Sequence, residues 1–212
     1  MSVSPTSRRA SRGFQLGVSY ARDGLQDSNA QINLDGVVLA NIFDVGVNYV
    51  NSFGDIDLAV NGGYGVAFGD GGENPQVWNA GINVGYAGVT VGGSFAEQNN
   101  SRGGPLPAGS ATTATDFEDG IAYDAGISYE TGPWGFSFTY FHGENVNDQQ
   151  VVSNSDEEVD MFLLGASYAL AKGVKLNAFG AYLDFSEEVG DAGGSGDDVD
   201  GFVIGTGIKL SF

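Results

Sequence analysis

The chain contains no cysteine, one histidine and two methionines, and only eight lysines and arginines stand against 27 aspartates and glutamates. The missing thiol excludes a disulfide scaffold, a thiolate zinc site and thiol catalysis, and leaves the redox compartment undecided. The scarcity of basic residues argues against an electrostatic partnership with nucleic acid, which depends on clustered Lys and Arg displacing counterions from phosphates. The asymmetry deepens along the chain. Arg8, Arg9 and Arg12 fall in the first twelve residues, so residues 13–212 carry five basic side chains and a net charge of −22. Long apolar runs are missing as well; stretches such as Val37 to Ala40 and Met161 to Leu164 fall far below the ~20 residues of a spanning helix. A transmembrane helix is thereby excluded, but not a transmembrane β-barrel, whose strands carry their hydrophobicity in alternation.

What the sequence has in abundance is glycine, 35 of 212 residues, with 12% aromatic residues beside it. There is no Gly-X-Y period, and the aromatic fraction is too high for a disordered chain. Residues 1–13 are polar, basic and patternless, and read as a disordered or altered N-terminal segment. They lack the apolar stretch of a secretory signal as written. Residues 14–212 read as one all-β domain of ten alternating segments, 14–20, 41–51, 55–68, 77–87, 89–96, 120–130, 134–142, 159–170, 174–185 and 201–212. In most, one parity is large and apolar and the other is Gly, Ser, Thr, Asn or Asp, as in a strand with two chemically different faces. Helix is a poor reading, because glycine every two or three residues costs a helix ~1 kcal/mol per position relative to Ala.

Two patterns predict an antiparallel up-and-down transmembrane barrel. The nine connections alternate strictly between long (21–40, 69–76, 97–119, 143–158, 186–200) and short (52–54, 88, 131–133, 171–173), which places all long loops at one end and all tight turns at the other. In that order Tyr49, Tyr86, Tyr129, Trp134, Tyr168 and Phe212 fall at the short-turn rim. Tyr20, Phe68, Trp78, Tyr123, Tyr140, Tyr182 and Phe202 fall near the long-loop rim. Two aromatic belts flanking an aliphatic band match the headgroup levels of a thin hydrocarbon slab. A soluble sandwich would instead cover its outer face with long charged side chains.

Three stretches carry a resemblance. GFQLGVSYARD at 13–23, LGASYALAKGVKLNAFGAY at 164–182 and GTGIKLSF at 205–212 make the chain similar to the C-terminal part of a general bacterial porin of the α-proteobacterial type. The resemblance covers residues 13–212, and its most specific piece is the final strand, in which Ile208, Leu210 and Phe212 match the signal read by the outer-membrane barrel assembly machinery. It implies a barrel in the outer membrane of a Gram-negative cell, passive diffusion of small hydrophilic solutes and ions, and a homotrimer. Members of this type have sixteen strands and a constriction loop. At ~20 residues per strand and connection, sixteen strands need ~100 residues more than the ten read here, so the chain reads as the last ten strands of such a barrel.

Candidate chemistry is sparse. No catalytic residue is expected: GxSxG does not occur, and His142, with no cysteine and no second histidine beside it, reads as a rim residue rather than a metal ligand or base. The acidic stretches Asp156 to Glu158 and Glu187 to Asp200 supply hard oxygen donors for calcium, but read as solvated loops. So does the lone glycine-rich Gly193 to Asp198, since a calcium-binding β-roll needs several stacked copies. No cofactor is expected. By parity Asp44, Asp55, Asp57, Asp124 and Glu130 point to the lumen against Lys175 and Lys209, which predicts mild cation preference in a water-filled pore. The competing expectation is a filled barrel with a structural or adhesive role, plugged by Phe141, Met161, Leu163, Phe179 and Leu183 on the inward parity. A soluble acidic sandwich is the third.

Overall fold

The computed structural model describes residues 13–23, 39–69, 74–99, 119–147, 155–188 and 198–211. These form ten strands: β1 Gly13–Asp23, β2 Leu39–Phe53, β3 Ile56–Gly69, β4 Gln76–Tyr86, β5 Val89–Asn99, β6 Gly120–Thr131, β7 Trp134–Asn147, β8 Ser155–Ala171, β9 Val174–Glu188 and β10 Val199–Leu210. No helix occurs among the described residues. All ten strands lie in one sheet in chain order, each antiparallel to its neighbours. The up-and-down plan legible in the connection lengths is the plan of the fold. Residues 1–12 and Phe212 lie outside the described residues.

Four connections are two-residue turns, Gly54 with Asp55, Ala87 with Gly88, Gly132 with Pro133, and Lys172 with Gly173. Each holds at least one residue in the left-handed region that such hairpins demand. Three of them are also tied to a strand beyond their own hairpin: the Gly88, Pro133 and Gly173 carbonyls accept from the Glu130, Ala169 and Ser211 amides at 2.8 Å. This end of the sheet is therefore a closely bonded rim. At the other end the strands run further than the alternation indicates. β7 continues to Asn147 and β8 begins at Ser155, because backbone pairing persists through polar residues after the apolar pattern has stopped. Asp55 lies in the first turn, off the strands.

Among the described residues the sheet has no second layer. Among the described residues Ala67 is the one buried hydrophobic side chain, and no polar side chain is buried. A soluble sandwich buries one face of each sheet against the other, so that reading fails. One face instead presents a continuous apolar surface that includes Val47, Val60, Ile82, Val91, Ile127, Phe138 and Leu164, all exposed. A surface this large is not tolerated in water. Its solvent is hydrocarbon, and the sheet crosses a bilayer by strands that satisfy their own backbone bonds.

β1 and β10 are the edges of the sheet and do not pair with each other. The edges show in the exposures: Phe14 on β1 is 79% and Phe202 on β10 is 77% exposed, against 47% for Phe43 on β2.

Candidate functional site

The pairing registers assign every strand residue to a face. Phe14 stands opposite Tyr49, Tyr49 opposite Val60, Val60 opposite Ile82, and the apolar face continues in this way through to Ile208 and Leu210 on β10. The other face carries Gly46 opposite Gly63, Asn48 opposite Asn61, Gly92 opposite Gly126 and Ser128 opposite Ser137. Its residues are the more covered; Gly65, Gly85 and Gly135 on it are buried. Small residues on the occluded side of a sheet let it curve toward that side, the geometry of a barrel lumen.

Six of the seven charged residues that parity assigns to the lumen share this small-residue face. Asp44, Asp57, Asp124 and Glu130 stand opposite Gly65, Gly85, Phe141 and Gly135, and Lys175 stands opposite Lys209. Asp55 does not join them, because it sits in the turn. Three of the carboxylates have a feature that sequence parity alone does not reveal, a serine directly across the strand pair. Ser19 Oγ donates to Asp44 at 2.9 Å, Ser52 Oγ donates to Asp57 at 2.5 Å, and Ser94 Oγ donates to Asp124. A hydroxyl orients a carboxylate without neutralising it, so the negative charge persists. Among the described residues no ion pair joins these acids to a lysine or arginine.

The same face turns apolar toward the end of the chain. Phe141, Met161 and Leu183 form one row across β7, β8 and β9, and Leu163 and Phe179 lie beside it. The five residues that the alternation offers as a plug do gather on one side of the sheet.

On the apolar face the aromatic residues are linked across strands. At the short-turn rim the Phe14 and Tyr49 rings lie 4.5 Å apart and Trp134 and Tyr168 4.6 Å apart. At the loop rim Tyr20 meets Phe43 at 4.8 Å, Trp78 meets Phe95 at 5.1 Å and Tyr140 meets Phe162 at 5.1 Å. Trp78 and Tyr86 bound β4 at its two rims. Eight residues at ~3.4 Å each span ~27 Å, and a strand tilt of ~40° reduces this to ~21 Å, close to the ~25 Å apolar band of outer-membrane barrels.

Further along the loop rim, His142 on β7 faces Asp160 on β8, and Glu144 faces Glu158. The His142 Nδ1 lies 3.0 Å from Asp160 Oδ1 and 3.5 Å from Glu158 Oε1, and Tyr140 Oη donates to Asp160 Oδ1 at 2.6 Å. The chain's one histidine therefore lies between two carboxylates of the next strand, β8. Its ring is stacked on Tyr123 with centroids 4.8 Å apart.

A single-layer sheet with one face suited to hydrocarbon and the other polar and glycine-rich is the wall of an outer-membrane barrel. Comparison with known families agrees: the family model described as Gram-negative porin matches residues 3–188, a stretch that reaches the last residue of β9. No curated protein matches the chain. The chain belongs to the Gram-negative porin family.

Proposed function

We propose that the chain forms the wall of a passive diffusion pore of the α-proteobacterial porin type, mildly selective for cations. The observation that carries the reading is the placement of Asp44, Asp57, Asp124 and Glu130 on the small-residue face, where serine hydroxyls rather than lysines or arginines partner the three aspartates. Fixed negative charge beside water raises the local cation concentration and lowers that of anions. No residue needs to react; solute passes because the face is polar and small. The three resembling stretches, at 13–23, 164–182 and 205–212, support the subtype. Assembly in this reading is read from Ile208 and Leu210 on the lipid face of β10, with Phe212 beyond the described residues, and the mature form is a homotrimer. Reversal potentials across a planar bilayer with a salt gradient test the selectivity. A potential of cation-permeable sign is expected, and anion selectivity contradicts the proposal.

A second reading, a barrel with a filled interior and no open pore, is favoured by the row Phe141, Met161 and Leu183 on the same face. Conductance separates the two readings. Steps of a water-filled channel support the first, and a protein that inserts without conducting supports the second.

A further inference from the structure

We infer that His142, Glu158 and Asp160 form a binding site for a divalent transition-metal cation of the zinc class on the outer wall, at the loop end of β7 and β8. One atom from each of the three side chains lies within 4.8 Å of the others. Two ligands held ~2.0–2.1 Å from a tetrahedral metal are ~3.3 Å apart, and the nitrogen-to-oxygen distances of 3.0 and 3.5 Å bracket that value. One imidazole and two carboxylates are donors that zinc takes, and three of them leave the fourth tetrahedral position to water. The imidazole selects against calcium and magnesium, which take oxygen donors.

The site is also built rather than merely acidic. The His142 side chain is 12% exposed and its ring is held by Tyr123, so its orientation is largely fixed before a metal arrives. Tyr140 holds the Asp160 carboxylate, as outer-sphere partners of metal ligands commonly do. The surroundings supply an independent argument. In the register, Asp160 stands opposite Asp184, Asp184 opposite Asp200, and Glu144 opposite Glu158. Like charges directly opposite each other in a sheet repel, and no lysine or arginine stands on this face of β6 to β10 among the described residues. A bound dication would relieve that repulsion and tie β7 to β8 just beyond the aromatic belt.

The test uses folded protein in detergent, stripped with chelator, and titrated with Co²⁺ alone. One tetrahedral Co²⁺ per chain, read from its visible absorption and displaced by Zn²⁺ but not by a similar concentration of Ca²⁺, is expected. His142→Gln and Asp160→Asn should each weaken binding by at least about tenfold, while Glu97→Gln, on the same rim but outside the site, should not. Because the chain has a single histidine, chemical modification of the unmutated protein gives a readout independent of variant folding: Zn²⁺ should protect His142 from diethylpyrocarbonate. Absence of protection, equal binding by His142→Gln, or displacement by an equal concentration of Ca²⁺ overturns the inference.

Discussion

Gly88 shows how much a single residue can decide in a sheet whose described residues bury no core. Its φ is +83°, and a Cβ built there would lie 2.5 Å from the Glu130 carbonyl oxygen, while its own carbonyl accepts from the Glu130 amide. A side chain therefore strains the turn and pushes β6 away. Gly88→Val should cost about 1–3 kcal/mol, measured as a lower urea midpoint of the micelle-folded protein. Gly17 has open space around it, so Gly17→Ala should leave that midpoint unchanged or raise it. The acidic lining gives a second prediction. Asn keeps the shape of Asp and can still accept from Ser19, Ser52 and Ser94, so Asp44→Asn, Asp57→Asn and Asp124→Asn together should fold normally and move the reversal potential toward that of an unselective pore. An unchanged potential would show that these carboxylates do not face the conducting water.

At the scale of the strand, the two faces should answer differently to the same substitution. Ile82 lies midway between Trp78 and Tyr86 on the hydrocarbon face and Asn83 on the other. Ile82→Arg should therefore destabilise by about 2–4 kcal/mol, while Asn83→Arg should cost little and reduce cation preference; unfolding curves of the two variants check the contrast. This alternation is also why so much of the fold is legible in the amino-acid sequence. A strand between lipid and a polar interior changes chemistry every residue, and that pattern marks most of the strands, both rims and the shared parity of Asp44, Asp57, Asp124 and Glu130. Where the membrane stops imposing it, the pattern fades. The polar extensions of β7 and β8 look like loop, and Asp55 continues the parity of β3 although Gly54 turns the chain there. The serine partners and the carboxylates around His142 are hidden for another reason. They depend on register, and β7 and β8 are joined by a long connection whose length does not fix which residue faces which.

At the scale of the whole molecule, the described sheet draws its stability from the solvent rather than from packing against a second layer. The apolar face is satisfied by lipid and the backbone by neighbouring strands, which leaves the outer edges of β1 and β10 as the positions needing a partner. An unpaired strand edge in hydrocarbon costs several kcal/mol per unmatched group, so the edges must pair with each other or with further strands when the sheet is in the membrane. The wall is two-sided, and the absence of cysteine from the chain makes that directly measurable. Single cysteines placed along β6 in the membrane-inserted protein should react with a water-soluble, membrane-impermeant maleimide in strict alternation. Positions 124, 126 and 128 should label, and positions 125 and 127 should not. Equal labelling on both parities, or the reverse alternation, would contradict a wall with one lipid face and one polar face.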